Sequence, residues 1–400
     1  MTQSDSAREE PPPAVSGAAA SRRVLALLAA AAGFGAANLY YSQPLAALMA
    51  QSLGISAAAM GSCLTACQFG YALGMLLLVP LGDGRERRGL MLQTILATSL
   101  SALLVAIAPS YPLLLVAHLL LGFSSCLPQM AVPFAVALAR REERGAAIGT
   151  VMSGLLAGIL LSRIASGLLA SAIGWRGTFV AAAVLMLVLG LLLRWQLPLQ
   201  HPPEPLAWRR IVSSLPGVLR SQPQLVRHGW IGAVAFASFS VFWSTLSFQL
   251  AALGYSARTA GLYGVLGLVG IGAASLVGRH AERWGPARVI ALGLLCLACS
   301  FGLASGAARS LVGLAAAAVL LDGGLQASHL ANQTVLFGLQ PELRNRINAI
   351  YMVSFFIGGA VGTASASVAW QLAGWNGVCV VGAAFALCGL LPLLRRRRAG

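Results

Sequence analysis

Of the chain's 400 residues 58% are hydrophobic and only 10% are charged, where an average soluble domain carries about 25% charged residues. A soluble globule is excluded, and the chain must live in a lipid bilayer. All 27 basic residues are arginine, set against 11 acids for a formal net charge of +16. A nucleic-acid face would gather that charge on one folded surface, whereas here it punctuates apolar runs of about 20 residues.

In chain order, residues 1–23 form a polar tail that holds Pro11, Pro12 and Pro13 and closes on Arg22 and Arg23. The apolar run from Val24 to about Ala50 exceeds the roughly 7–15 residues of a signal-peptide core and lacks a cleavage site, so it is kept as the first span. Further spans are expected at 57–81, 90–108, 112–138, 145–173 and 176–195, then at 229–252, 258–278, 288–306, 310–338, 347–370 and 377–394. The fold class is an all-α membrane protein of twelve transmembrane helices. It divides into a six-helix bundle at 24–195, a linker at 196–228, a second six-helix bundle at 229–394 and a basic tail at 395–400. The linker mixes prolines with Trp208 and arginines, the pattern of a short interfacial segment facing anionic headgroups. The seven cysteines all sit in apolar runs, where thiols act as small hydrophobes, so no disulfide framework is expected. Cys296 and Cys299 have the spacing of a metal or redox motif but lack a second ligand pair, and no metal or cofactor is expected.

Sorting arginines by alternate loops puts 23 of the 27 on one side of the membrane. The positive-inside rule makes that side cytoplasmic, with both termini and the linker on it. Sliding the chain against itself at an offset of 200 aligns Leu53-Gly54 with Leu253-Gly254, Gly61 with Gly261, Arg144 with Arg344, Gly158 with Gly358 and Gly174-Trp175 with Gly374-Trp375. A constant offset that maps span onto span argues for duplicated halves in parallel orientation, the pattern of alternating-access transporters.

The stretch from Val79 through Gly82, Asp83, Arg85, Glu86, Arg87 and Arg88 resembles the signature loop after the second span of the major facilitator superfamily. Gly278 to Gly285 is similar to its weaker second copy, and the segment Asn38 to Leu45, the Gly154/Gly158/Arg163/Gly167 spacing and Asn332-Gln333 resemble that family's bacterial drug-and-metabolite efflux branch. The chain departs from the pattern at Gly84 and at His118. The resemblance implies that spans one, four, seven and ten line a central cavity and that span five packs across the interface between halves.

Asp322 is the single acid within the spans, where a carboxylate costs several kcal/mol unless paired, protonated or facing water. Asp322, Gln326, His329 and Gln333 fall at about 0°, 40°, −20° and 20° on a helix turning about 100° per residue, one polar stripe. Arg163 cannot readily shed its proton. At about 1.5 Å per residue it lies within about 3 Å of Asp322 in depth, which predicts a state-dependent ion pair broken when Asp322 is protonated. His118 and His329 are candidate proton relays. Asn38, Tyr41 and Ser42 are predicted to share one face of span one, with Gln43 pointing away and Pro44 bending the helix beyond them. Phe236, Phe239 and Trp243 share a face of span seven. With Gln129 on span four, Gln326 and Gln333, these groups suit a moderately hydrophobic or aromatic solute. Asp83, Arg85, Arg87 and Arg88 are expected to latch against the start of span eleven, with Glu282 and Arg283 as the pseudo-symmetric copy against span five.

The resemblance therefore implies a monomeric, proton-coupled transporter of the bacterial inner membrane, surrounded by lipid, that exports a small organic compound in exchange for protons. Proton-coupled uptake stays open because signatures do not set direction, as does a sensor that kept the fold. No nucleophile–base pair or phosphate-cradling loop points to an enzyme or an ATP-driven pump.

Overall fold

A computed structural model describes residues 21–201, 208–267, 284–340 and 343–395, and these are helical almost throughout. Helix α1 (Arg22–Ala37) starts on Ser21, whose Oγ accepts from the Val24 N–H at 3.3 Å. It stops at a turn over residues 38–41, and α2 (Ser42–Leu53) completes the first span. Pro44 explains the break: its ring carries no N–H and would collide with the carbonyl of Tyr40 in a continuous helix. The interruption therefore lies within the Asn38–Ser42 segment and not beyond it as the sequence predicted. The periodicity of one regular helix does not carry across that segment.

Helix α3 (Ala57–Leu77) is capped by Ser56 and ends in a 3₁₀ turn at Val79–Asp83. Helix α4 (Arg87–Ile107) is the third span, and α5 (Tyr111–Ser124) with α6 (Leu127–Leu138) make the fourth. Pro128 in the first turn of α6 breaks the fourth span by the mechanism that breaks the first. Helix α7 (Arg144–Gln196) has 53 residues, about 80 Å of helix against a hydrocarbon core of about 30 Å. It is two spans, broken at Gly174 (φ 74°, ψ 168°), a conformation suited to glycine. The chain doubles back there, because Val151 and Leu193 share one buried cluster with Leu28, while Ala170 and Phe179 share another with Leu45.

The second half follows the first. After the linker helix α8 (Trp208–Ser221) come α9 (Pro223–Ala252), α10 (Ala257–Leu262) with a 3₁₀ turn at Tyr263–Leu266, α11 (Pro286–Gly306) and α12 (Leu311–Phe337). Helix α13 (Arg344–Cys388) is again two spans, broken at Ala373 and Gly374, and α14 (Leu391–Arg395) closes the described chain. Eleven of the twelve crossings lie within the described residues, and α10 begins the remaining one, the eighth in chain order. The offset of 200 recurs in the backbone, since Gly54 and Gly254 have φ of 62° and 84°, and Gly174 and Gly374 have φ of 74° and 58°.

Close approach between helices is repeated too. A Cβ on Gly158 would overlap the Gly33 backbone, and one on Gly358 would overlap that of Ala233, the equivalent pair in the other half. Small residues at such spacings let backbones meet where lipid supplies no hydrophobic drive to associate. On the face opposite the arginine-rich loops the halves close on each other, with Gly167 on α7 against Gly261 on α10, a Cβ on either lying 3.0 Å from the other's Cα. Gly154→Val should cost about 1–3 kcal/mol, because its Cβ would come within 2.7 Å of the Ala29 side chain. Gly145→Ala, which meets open space, should stay within about 0.5 kcal/mol of wild type; thermal unfolding of both variants in detergent checks the contrast.

Candidate functional site

Arg163, 2% exposed in the middle of the fifth span, is the centre of the site. Its Nε donates to Gln43 Oε1 at 3.1 Å. Its guanidinium lies 3.8 Å from the Trp243 ring centroid, with Tyr40 at 5.2 Å and Phe239 at 5.8 Å. The Trp243 indole N–H donates to Asp322 Oδ1 at 3.0 Å. Trp243 therefore stands between cation and anion, its electron-rich face toward Arg163 and its polar edge toward Asp322. The ion pair expected from depth is not direct in this conformation: among the described residues the one ion pair is Arg87–Asp83. Arg163 and Asp322 attract each other across the indole.

The glycines of the eighth span make room for this array. A Cβ on Gly264 would lie 2.8 Å from Arg163 Cβ, and one on Gly267 would lie 3.2 Å from Asp322 Oδ2. Beside the array is a cavity of about 10 Å³ between the halves, lined by Gln43, Pro44 and Arg163 from one and by Trp243, Ser247 and Ala260 from the other. Arg163 Nη2 and Ser247 Oγ are buried there without a hydrogen-bond partner among the described residues.

The other residues expected at the site divide. Ser42 Oγ meets His118 Nε2 at 2.9 Å while His118 Nδ1 meets the Leu114 carbonyl at 2.9 Å. The Leu114 carbonyl can only accept, so Nδ1 carries a proton and donates to it, while Nε2 and the Ser42 hydroxyl share a hydrogen bond in which either can donate. Asn38 donates to its own Phe34 carbonyl at 2.7 Å, and Tyr41 is buried in the first bundle. These groups hold spans one and four together inside one half. Phe236 and Phe239 stack at 5.5 Å, and Phe236 stacks on Phe355 at 4.1 Å. His329 Nδ1 contacts Tyr351 Oη at 3.0 Å, with Gln326 and Gln333 half-buried along the same helix. Gln129 donates weakly to Tyr71 Oη at 3.4 Å.

Three participants were not anticipated. Gln43 faces Arg163 because the break before Pro44 turns it there. Gln68 donates to Thr363 across the halves at 3.2 Å, and His228 Nδ1 meets Asn332 Oδ1 at 2.6 Å, joining spans seven and ten. Gln68 is a lone polar residue in an apolar helix, the one signal that marked it, whereas His228 follows Arg227 in the first turns of α9 and carries no such mark.

At the arginine-rich face Asp83 pairs with Arg87 at 4.0 Å and is drawn toward Arg346 at the start of α13. The expected latch thus gains a cation from the other half. Arg87 also donates to the Pro133 carbonyl at 3.3 Å, Arg88 donates to the Leu197 carbonyl at 2.9 Å, and Arg85 is exposed. Glu282 and Arg283 lie outside the described residues. Glu86 is the unanticipated hub, since its carboxylate accepts from the N–H groups of Arg88 (2.8 Å), Gly89 (2.6 Å) and Gln200 (3.0 Å).

A duplicated twelve-span membrane protein with a polar array between its halves has the build of a transporter. The chain belongs to the Major Facilitator Superfamily, whose family model matches residues 25–363. It is 38% identical to the uncharacterized transporter YgaY of Escherichia coli O157:H7, over 90% of this chain and 92% of the relative. A protein of Pasteurella multocida described as a "Probable sugar efflux transporter" is 26% identical over 86% of this chain and 84% of its own. The crystal structure of the nucleoside transporter NupG superposes with a TM-score of 0.76 at 11% identity, covering 93% of this chain and 99% of that one.

Partial burial works against the charge on Glu86, but the N–H groups of Gln200, Gly89 and Arg88, with the Arg88 charge, outweigh it and hold the carboxyl below its ordinary range. A carboxyl lowered in the folded state stabilises the fold above its unfolded value of about 4.3 and loses that contribution as pH falls through the folded value. Glu86→Gln should lower the melting temperature at pH 7, and the gap from wild type should close below about pH 4; a gap unchanged between pH 7 and pH 3 would contradict this role.

Proposed function

We propose that the chain is a proton-coupled secondary transporter that exports a small, moderately hydrophobic or aromatic organic compound by alternating access. On this reading it works as a monomer in the bacterial cytoplasmic membrane with both termini in the cytoplasm, and it catalyses no reaction. The observation that carries the reading is the Arg163–Trp243–Asp322 array, which joins the halves beside a cavity that both of them line. A carboxylate within the membrane is costly and marks proton and substrate paths, and Asp322 is 6% exposed, with the Trp243 N–H as its hydrogen bond. Protonation would release its hold on Trp243 and on the charge of Arg163, and so loosen the array that bridges the halves. The aromatic surface of Tyr40, Phe236, Phe239 and Trp243 fits an aromatic or moderately apolar solute. Export is supported by the efflux-type motifs and by the efflux relative, and the cytoplasmic termini by the arginine distribution.

One observation favours proton-coupled uptake as a second reading. Arg163 and Asp322 are each other's counter-charge, so a proton on Asp322 leaves Arg163 able to hold an incoming anion, and the two would cross together.

Accumulation of candidate solutes in a deletion strain, with and without a protonophore, separates the readings. An exporter's loss raises accumulation, and a protonophore brings wild type to the deletion level; an importer's loss lowers it. Asp322→Asn should behave as the deletion wherever transport is driven by protons. Proton-driven transport at wild-type rates in this variant would remove Asp322 from the coupling role.

A further inference from the structure

Two of the residues that line the cavity between the halves carry a buried polar atom that makes no hydrogen bond within the described protein. Arg163 Nη2 is a charged donor on a side chain 2% exposed, and Ser247 Oγ, 4% exposed by residue, lies on the facing half. Leaving such groups unmade costs far more than making them gains, and a guanidinium cannot escape the cost by losing its proton. Both can donate, one carries a positive charge, and the wall around them is aromatic and aliphatic, through Trp243 and Leu246. Gln43 is neutral, and the counter-charge of Arg163, Asp322, lies on the far side of an indole, so the charge is incompletely matched in this conformation.

We propose that this is the polar end of the substrate site and that the substrate class is organic anions, a single carboxylate on an aromatic or apolar body. The carboxylate seats on Arg163 Nη2 and Ser247 Oγ once the halves part, and the body lies against Trp243, Phe239 and Tyr40. This rests on the second, proton-coupled uptake reading of the transport function and names its substrate. As closed here, the cavity of about 10 Å³ has room for about one water molecule, so solute enters only as the halves separate. The site also sets the sign of coupling. A substrate carboxylate and Asp322 compete for the charge of Arg163, so a proton on Asp322 strengthens anion binding, and proton and anion move in the same direction. Inward movement then draws on the proton gradient, and outward movement on the solute's own gradient.

The test is thermal stabilisation of the purified full-length protein in detergent at pH 7 by benzoate, benzamide and benzylamine, which share a ring and differ in charge, with sodium chloride at equal ionic strength. Benzoate should raise the melting temperature by about 2 °C at saturating millimolar concentration, and the other three should not. Ser247→Ala, a small change that leaves the helix intact, should need about tenfold more benzoate for the same shift. Arg163→Gln should abolish the shift, and Asp322→Asn, which mimics the protonated acid, should reach it at lower benzoate. Equal stabilisation by benzamide or by chloride would overturn the proposal, as would an unchanged benzoate response in Ser247→Ala. The binding assay needs no gradient. Anion-selective binding without proton-driven movement in proteoliposomes would therefore refute the transport reading alone, and proton-driven movement of solutes other than anions would refute the substrate class alone.

Discussion

A guanidinium that cannot give up its proton, placed in a medium that cannot hydrate it, constrains everything around it. Arg163 meets that constraint with parts from three regions of the chain. The turn before α2 and the first turn of α2 supply Tyr40 and Gln43, α9 supplies the faces of Phe239 and Trp243, and α12 supplies the carboxylate of Asp322 at the far edge of Trp243. The eighth span contributes by absence, since its glycines leave the volume that the arginine and the carboxylate occupy. One buried charge thus ties both halves to a common point, and any change in the charge of Asp322 is felt there through a single aromatic ring.

Around that point each half is densely packed, and the halves also meet closely, as at Gly167 against Gly261 and Gly359 against Gln68. Within the halves, glycine-on-backbone contacts such as Gly33–Gly158 and Ala233–Gly358 bring helices close enough for dense packing. Among the described residues the specific polar links between the halves are few, chiefly the arginine array, Gln68 to Thr363, and the attraction of Asp83 to Arg346. At the arginine-rich face Glu86 gathers three backbone donors and binds the start of the linker to the loop after the second span, while Trp208 of α8 donates to the Leu77 carbonyl at 2.9 Å. The linker is tied to the first half at these points, while Val218 of α8 lies in a buried cluster built mainly from the second half. A small number of exchangeable polar links between two packed halves suits rigid-body rocking.

Much of this was legible in the residues. Apolar run lengths, the arginine distribution and the offset of 200 led to twelve spans in duplicated halves, and the same offset reappears in the left-handed glycines at 54, 254, 174 and 374. Arg163 and Asp322 stood out because isolated charges in apolar runs have no structural reason to be cheap. The partners of these charges were harder to read. Helical periodicity placed Asn38 and Ser42 on a shared face and turned Gln43 away, but periodicity assumes an unbroken helix, and Pro44 breaks it before that face is complete. His118 was singled out by residue type, but its partners, Ser42 on the first span and the Leu114 carbonyl on its own helix, were not legible in the sequence.

The sequence by itself determined the solvent, the number of spans, the duplication and the residues whose burial demands an explanation, because hydropathy and repeat spacing are properties of the chain read along its length. Tertiary structure alone decided that an indole separates the arginine from the aspartate, that a glutamine 120 residues away caps the guanidinium, and that Arg163 Nη2 and Ser247 Oγ are left facing one cavity. Those outcomes depend on how distant segments bend and approach in three dimensions, where a single helix break rotates a side chain from lipid to core.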